Sequence, residues 1–209
     1  MGQKVKIVIF LLIFIFAAGC NSPGEEDGDH LAYINANEDS EYENTIRDLN
    51  LGVLFDFNIE LPYANETMVN LWVQGYLNGE EMDADDLASI RFGNFPEEEA
   101  EERLGFGLLN PDHQTFFLYT PSGTAGPHFP ENNPVITTED TFSTWEYAIS
   151  EEPTGLSEGE ATVLAAFRQT KGESMRSGYD YNSPGGLQEA INDYDVVLLL
   201  MIEVEREEF

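Results

Sequence analysis

The feature that most constrains the fold of this chain is an alternation of apolar and polar side chains with a period of two. In "LGVLFDFNIEL", residues 51–61, apolar side chains stand at every second position, and Asp56, Asn58 and Glu60 stand between them. Successive side chains of a β-strand point to opposite faces of a sheet, so this run predicts a strand with one buried and one solvated face.

A second run repeats the alternation and adds a turn signal. "MVNLWVQGYLNGEEM", residues 68–82, ends in Asn78-Gly79, a dipeptide typical of the tight turn of a β-hairpin. Further candidate strands lie at 89–95, 105–109, 115–120, 135–138, 144–150, 162–169 and 196–202. The last of these is apolar on both faces, which predicts a strand in the centre of a sheet.

Helical signals are few. Ser183 is a candidate N-cap for a short helix that carries Leu187 and Ile191 four residues apart. The acidic run at 96–105 predicts one or two exposed helical turns. About eight strands with one or two short helices predict one mainly β domain at 49–209, an antiparallel β-sandwich, with a partly closed β-barrel as the alternative.

The charge balance is strongly acidic, with 40 acidic residues against nine basic residues and a formal net charge of −31. Nucleic acid is excluded as a partner, because binding to phosphates needs clustered Lys and Arg, and anionic lipid head groups are repelled for the same reason. Scarce lysine beside many carboxylates is typical of proteins exposed to high salt or high external pH, where solvated charge maintains solubility.

The first twenty residues, "MGQKVKIVIFLLIFIFAAGC", have the order of a bacterial export signal. Lys4 and Lys6 precede an apolar run at 7–18, which is shorter than the roughly 20 residues that span a bilayer as a helix. Small residues then lead to Cys20, the sole cysteine. This pattern resembles the lipobox of bacterial lipoproteins, although Ala17 stands where leucine is commonest.

The resemblance implies that residues 1–19 are a cleaved signal peptide and that Cys20 carries the lipid that anchors the protein to the cell membrane, facing the extracytoplasmic side. The alternative is an ordinary secretory signal that leaves a free thiol. The polar, acidic sequence from Cys20 to residue 48 predicts a tether, to which the apolar group 31–34 adds a possible edge strand. No part of it has the ligand spacing of a calcium loop.

No catalytic residue, metal site or cofactor is predicted. None of the three histidines has a metal-binding spacing. Ser122 lies between His113 and His128, the residue types of a serine hydrolase, yet "TPSGTAG" has the composition of a turn rather than of a nucleophile elbow. Among 40 carboxylates, no pair can be singled out for glycosidase chemistry.

Two groups of side chains are candidates for ligand binding. Trp72 and Tyr76 share the non-core face of their strand, where they either stack on a sugar, together with Trp145 or Tyr147, or pack beneath another element.

The second group, Arg168, Lys171 and Arg176, contains three of the seven basic residues that follow residue 19. These either pair with the protein's own carboxylates or bind an anionic group, such as a peptide C-terminus or a wall-polymer phosphate.

The sequence thus predicts a membrane-anchored extracytoplasmic lipoprotein that acts as a non-catalytic binding or accessory module at the cell envelope. Its expected partner, besides the membrane that holds its lipid, is a wall polymer or an envelope protein. The alternative function is that of an envelope hydrolase acting on wall polymer or peptide.

Overall fold

A computed structural model describes residues 30–83, 87–109, 115–126, 141–172 and 174–207. Its strands are β1 (Ala32–Ala36), β2 (Gly52–Leu61), β3 (Thr67–Leu77), β4 (Glu80–Glu81), β5 (Ser89–Gly93), β6 (Ala100–Leu109), β7 (Thr115–Thr120), β8 (Gly123–Ala125), β9 (Phe142–Tyr147), β10 (Thr154–Leu156), β11 (Thr162–Thr170) and β12 (Val196–Arg206). Its helices are α1 (Glu41–Asp48) and α2 (Pro184–Asp193).

The described strands form two antiparallel sheets of six strands each. The first sheet has the order β10-β1-β2-β6-β7-β8, and the second has the order β4-β3-β12-β11-β9 with β5 also paired to β3. Phe57 and Phe106 of the first sheet share one buried cluster with Leu71 and Leu198 of the second. The prediction of a mainly β sandwich is therefore confirmed, with more and shorter strands than the eight expected.

Several local predictions from the alternation are also confirmed. β12 lies in the middle of its sheet, paired with β3 from Val196 to Arg206 and with β11 on its other side. Asn78 and Gly79 have φ angles of 51° and 83°, so both adopt the left-handed conformation that the tight turn between β3 and β4 requires. The candidate strand at 135–138 lies outside the described residues.

The helical prediction for residues 96–105 is wrong, because most of this run enters β6. β6 pairs with β2 along its whole length, from Leu61↔Ala100 to Gly52↔Leu109. Its apolar residues Leu104 and Phe106 are fully buried in the sandwich. Burial of the alternating apolar residues outweighs the weak helical preference of the glutamates before them.

The predicted tether extends too far, because the folded domain begins before residue 49. β1 pairs with both β2 and β10, and its residues Ala32, Ile34 and Ala36 are buried in the common core. α1 follows, and the hydroxyl of Ser40 caps it by accepting a hydrogen bond from the backbone N–H of Glu43 at 3.1 Å. The group at 31–34 is thus an internal strand of the first sheet.

A smaller core covers the outer face of the second sheet. α2, whose N-cap is the predicted Ser183, packs with the preceding loop over outward-facing residues of β11 and β12 such as Ala166 and Leu199. Within the described ranges, neither helix has the length and apolar character needed to cross a bilayer. Over the outer face of the first sheet, the described part of the chain places α1 against β2.

Candidate functional site

Two aromatic rings lie on the outer face of the first sheet, next to glycines of β6. Gly105 pairs with Tyr119 and Gly107 pairs with Phe117 in the register of β6 and β7. A methyl group on Gly107 would lie 2.3 Å from Phe117 Cε1, and one on Gly105 would lie 2.5 Å from Tyr119 Cε1. The missing side chains therefore make room for the rings, which form an apolar floor.

α1 turns this floor into a groove of about 440 Å³. The groove is lined by residues of α1, β2 and β7: Glu41, Tyr42, Thr45, Ile46, Leu54, Phe117 and Tyr119. Tyr42 stands at the rim and is half exposed. We call this site the aromatic groove.

A buried carboxylate paired with a partly exposed arginine supports the groove. Asp56 is fully buried, forms an ion pair with Arg103, and accepts a hydrogen bond from the hydroxyl of Tyr119. The Arg103 guanidinium also lies 4.0 Å from the ring centre of Tyr42, which ties the rim to the floor. Asn37 donates a further hydrogen bond to Asp56 at 3.1 Å. Because the network satisfies the carboxylate on several sides, it fixes the two tyrosine rings.

The groove offers few free polar groups. Burial raises the pKa of the Tyr119 hydroxyl well above its ordinary value, against the opposing charge of Arg103, so the hydroxyl stays protonated and serves Asp56. The Thr45 hydroxyl donates to the Glu41 carbonyl oxygen at 2.7 Å. Among the described residues, neither the Tyr42 hydroxyl nor the Glu41 carboxylate has a hydrogen-bond partner. The lining is mostly apolar and aromatic, an arrangement that suits the binding of an apolar group.

The aromatic residues expected to stack on a sugar do not come together. Trp72 and Tyr76 are half-buried and pack against the smaller core under α2. Tyr147 lies inside the sandwich, with its ring centre 5.0 Å from that of Phe55, whereas Trp145 is half exposed on β9. This geometry favours the packing interpretation of Trp72 and Tyr76.

The three predicted basic residues do not form one exposed cluster, although Arg168 Nη1 donates a hydrogen bond to the Arg176 carbonyl oxygen at 2.9 Å. Arg168 is fully buried, with its Nη2 atom 2.9 Å from Glu146 Oε1, inside a cage of tyrosine rings formed by Tyr179, Tyr181 and Tyr194. Arg176 is exposed and pairs with Glu189 at 3.1 Å, and Lys171 is exposed. The arrangement favours internal ion pairs over a shared anion site.

The remaining candidate residues lie wholly or partly outside the described part of the chain. Ser122 Oγ lies 3.0 Å from Thr120 Oγ1, and both histidines proposed as its partners, His113 and His128, lie outside the described residues, as does Cys20. No group of three or more metal-ligating side chains occurs among the residues that the structure describes.

Sequence reasoning missed the aromatic groove for identifiable reasons. Its wall, α1, fell within the predicted tether, although Ser40 and Glu43 form the S-x-x-E pattern of a capping box. Its floor depends on Gly105 and Gly107. Glycine in a strand often marks a position where another group approaches the backbone closely, here an aromatic ring. That signal locates a contact but does not identify the contacting ring.

The chain matches no protein-family model, no curated protein and no solved structure. The geometry and chemistry of the aromatic groove are therefore the basis for its proposed ligand.

Proposed function

We propose that this protein is a lipid-anchored, extracytoplasmic binding module, and that the aromatic groove is its ligand site. The observation that carries the proposal is an apolar groove of about 440 Å³ with three aromatic side chains in its lining. Concave sites of this size, mostly apolar with a few polar groups at the rim, are the usual form of a small ligand or side-chain pocket.

The anchor is supported by the resemblance of the first twenty residues to a lipoprotein signal that ends at Cys20. Twelve residues lead from Cys20 to Ala32, the first residue of β1, and such a chain spans at most about 40 Å. A lipid on Cys20 would therefore hold the domain close to the membrane surface.

The strand register supports an outward-facing groove. Ala32 lies next to the Leu61 end of β2, whereas Leu54 lines the groove seven residues away, about 23 Å along the strand. Five glutamates at 97–102 precede and begin β6 at the Leu61 end. Because the tether also joins the domain at this end, the groove at the other end points away from the lipid, and repulsion between the glutamates and anionic head groups limits how closely the domain approaches the membrane.

Two measurements test the proposal. Cys20→Ala should move the protein from the membrane to the soluble fraction, and continued membrane association would contradict the anchor. For the groove, the full chain in phosphatidylcholine nanodiscs is titrated with N-acetyltryptophan amide, and saturation-transfer NMR reports binding. Tyr42→Ala should abolish saturable binding and Trp145→Ala, equally exposed on the other sheet, should not. Equal signals from both variants would contradict the groove as the site.

A further inference from the structure

We infer that the ligand of the aromatic groove is a basic peptide segment that inserts a bulky apolar side chain and places a Lys or Arg beside Glu41. The inference rests on the proposed function, since it requires the groove to be a binding site. It adds the chemical class of the partner, an exported or surface protein of positive charge.

The inserted group is apolar because two polar side chains of the groove, Tyr119 and Thr45, are already hydrogen-bonded, and the groups left free are those of the exposed residues Glu41 and Tyr42. Recognition of a sugar needs several hydrogen-bonding groups aimed at its hydroxyls. Here the Tyr119 hydroxyl donates its hydrogen bond to Asp56, and the Thr45 hydroxyl donates its hydrogen bond to the backbone of its own helix. What remains inside is the surface of Ile46, Leu54 and Phe117, which suits the side chain of a leucine or an aromatic residue.

The segment is basic because the wall of the groove is negative. Residues 38–48 contain five carboxylates and one cation, Arg47, which is held by Asp39 at 3.0 Å and lies 3.6 Å from Glu43. The other nearby cation, Arg103, is held by Asp56. The Glu41 carboxylate, which lines the groove, has no cation paired with it among the described residues.

The rim adds a second attraction for a cation. Arg103 lies over the ring of Tyr42 at 4.0 Å, and the ring remains half exposed. Aromatic rings attract Lys and Arg side chains, most strongly where water is excluded. A formal net charge of −31 also steers positive partners toward the protein and slows the approach of negative ones. Charge and shape thus favour the same partner.

The test uses the full chain in phosphatidylcholine nanodiscs and fluorescein-labelled twelve-residue peptides in an anisotropy titration. One peptide combines Lys and Arg with Leu and Trp, a second replaces each basic residue by Glu, and a third replaces each apolar residue by Ser. Chitotetraose is added as an unlabelled glycan competitor. The variants are Tyr42→Ala and Glu41→Gln, with Trp145→Ala and Glu97→Gln as exposed controls on other surfaces, and circular dichroism checks that each variant is folded.

We expect the basic apolar peptide to bind most tightly, about tenfold more weakly in Tyr42→Ala and about threefold to fivefold more weakly in Glu41→Gln, with neither control changing its affinity. The Glu41 effect should fade in molar salt. Equal binding of the acidic peptide, or displacement of the peptide by chitotetraose, would overturn the basic-peptide inference and leave the groove as the site. Failure of Tyr42→Ala to weaken any probe would overturn both.

Discussion

The floor of the aromatic groove makes Gly107→Ala an informative substitution. The added methyl carbon would lie 2.3 Å from Phe117 Cε1, 2.5 Å from Phe117 Cζ and 3.1 Å from Leu54 Cδ1. Carbon atoms in contact lie about 3.5–4.0 Å apart, so the Phe117 ring must move by more than about 1 Å. Since the ring is only half-buried, its open direction is outward into the groove.

The expected loss of stability in Gly107→Ala follows from the freedom of the Phe117 ring to move outward. Overfilling a well-packed site costs about 1–3 kcal/mol, and a ring that can swing into open space places this substitution near the lower end. For a domain of this size, about 1 kcal/mol lowers the melting temperature by roughly 2–4 °C. The displaced ring would fill the groove, so ligand binding should be lost although the protein remains folded.

Thermal unfolding followed by circular dichroism, together with the peptide titration, measures both effects. Gly105→Ala is the matched control, because its methyl carbon would lie 2.1 Å from the Phe55 carbonyl oxygen, a backbone atom that cannot swing aside. It should cost more than Gly107→Ala. In a Phe117→Ala background, Gly107→Ala should cost close to nothing. This geometry of the floor would be refuted if Gly107→Ala left both stability and ligand binding unchanged. It would also be refuted if the substitution lowered stability equally in the wild-type and Phe117→Ala proteins.

Three further predictions concern stability. Arg168→Met removes the cation from its tyrosine cage and leaves the Glu146 carboxylate without its charge partner. Urea denaturation should therefore show that the free energy of unfolding falls by about 3–5 kcal/mol. The exposed control Arg176→Met should change it by less than about 0.5 kcal/mol. Burial raises the pKa of Tyr181 and Tyr147 above the ordinary value of about 10. Stability should therefore be unaffected by these hydroxyls below pH 10 and fall above it, as the unfolded chain loses its protons first; a free energy of unfolding that does not fall above pH 10 would contradict this. Molar salt screens repulsion among the 40 carboxylates and should raise the melting temperature, and an unchanged value would argue against self-repulsion.

The strands were predictable because burial alternates along them. β2, β3 and β12 each bury one or both faces of the strand. The residues of a buried face recur at every second position, so the pattern can be seen in the sequence itself. α1 was not predictable in this way, because no residue of this helix is buried and its apolar face is short, with Tyr42 and Ile46 four residues apart among polar and charged residues. The β6 segment was misread because its glutamates favour a helix locally, whereas pairing with β2 decides its conformation.

The candidate site was hidden from the sequence because it is assembled from distant segments. The alternation along β2 predicts that Asp56 faces solvent, yet Asp56 is fully buried. Its partners are distant in sequence: Arg103 is 47 residues away and Tyr119 is 63 residues away. Which ring covers which glycine depends on β6 lying between β2 and β7. Strand order, not local periodicity, contains that information.

The most direct test of the aromatic groove as the ligand site is methyl NMR of the full chain in phosphatidylcholine nanodiscs, titrated with the basic apolar peptide. We expect saturable shifts of the Ile46 and Leu54 methyl signals, which lie in the groove wall and floor, and unchanged signals for Val197 and Met201, which lie under α2. Shifts confined to Val197 and Met201, or no saturable shift at Ile46 and Leu54, would contradict this expectation.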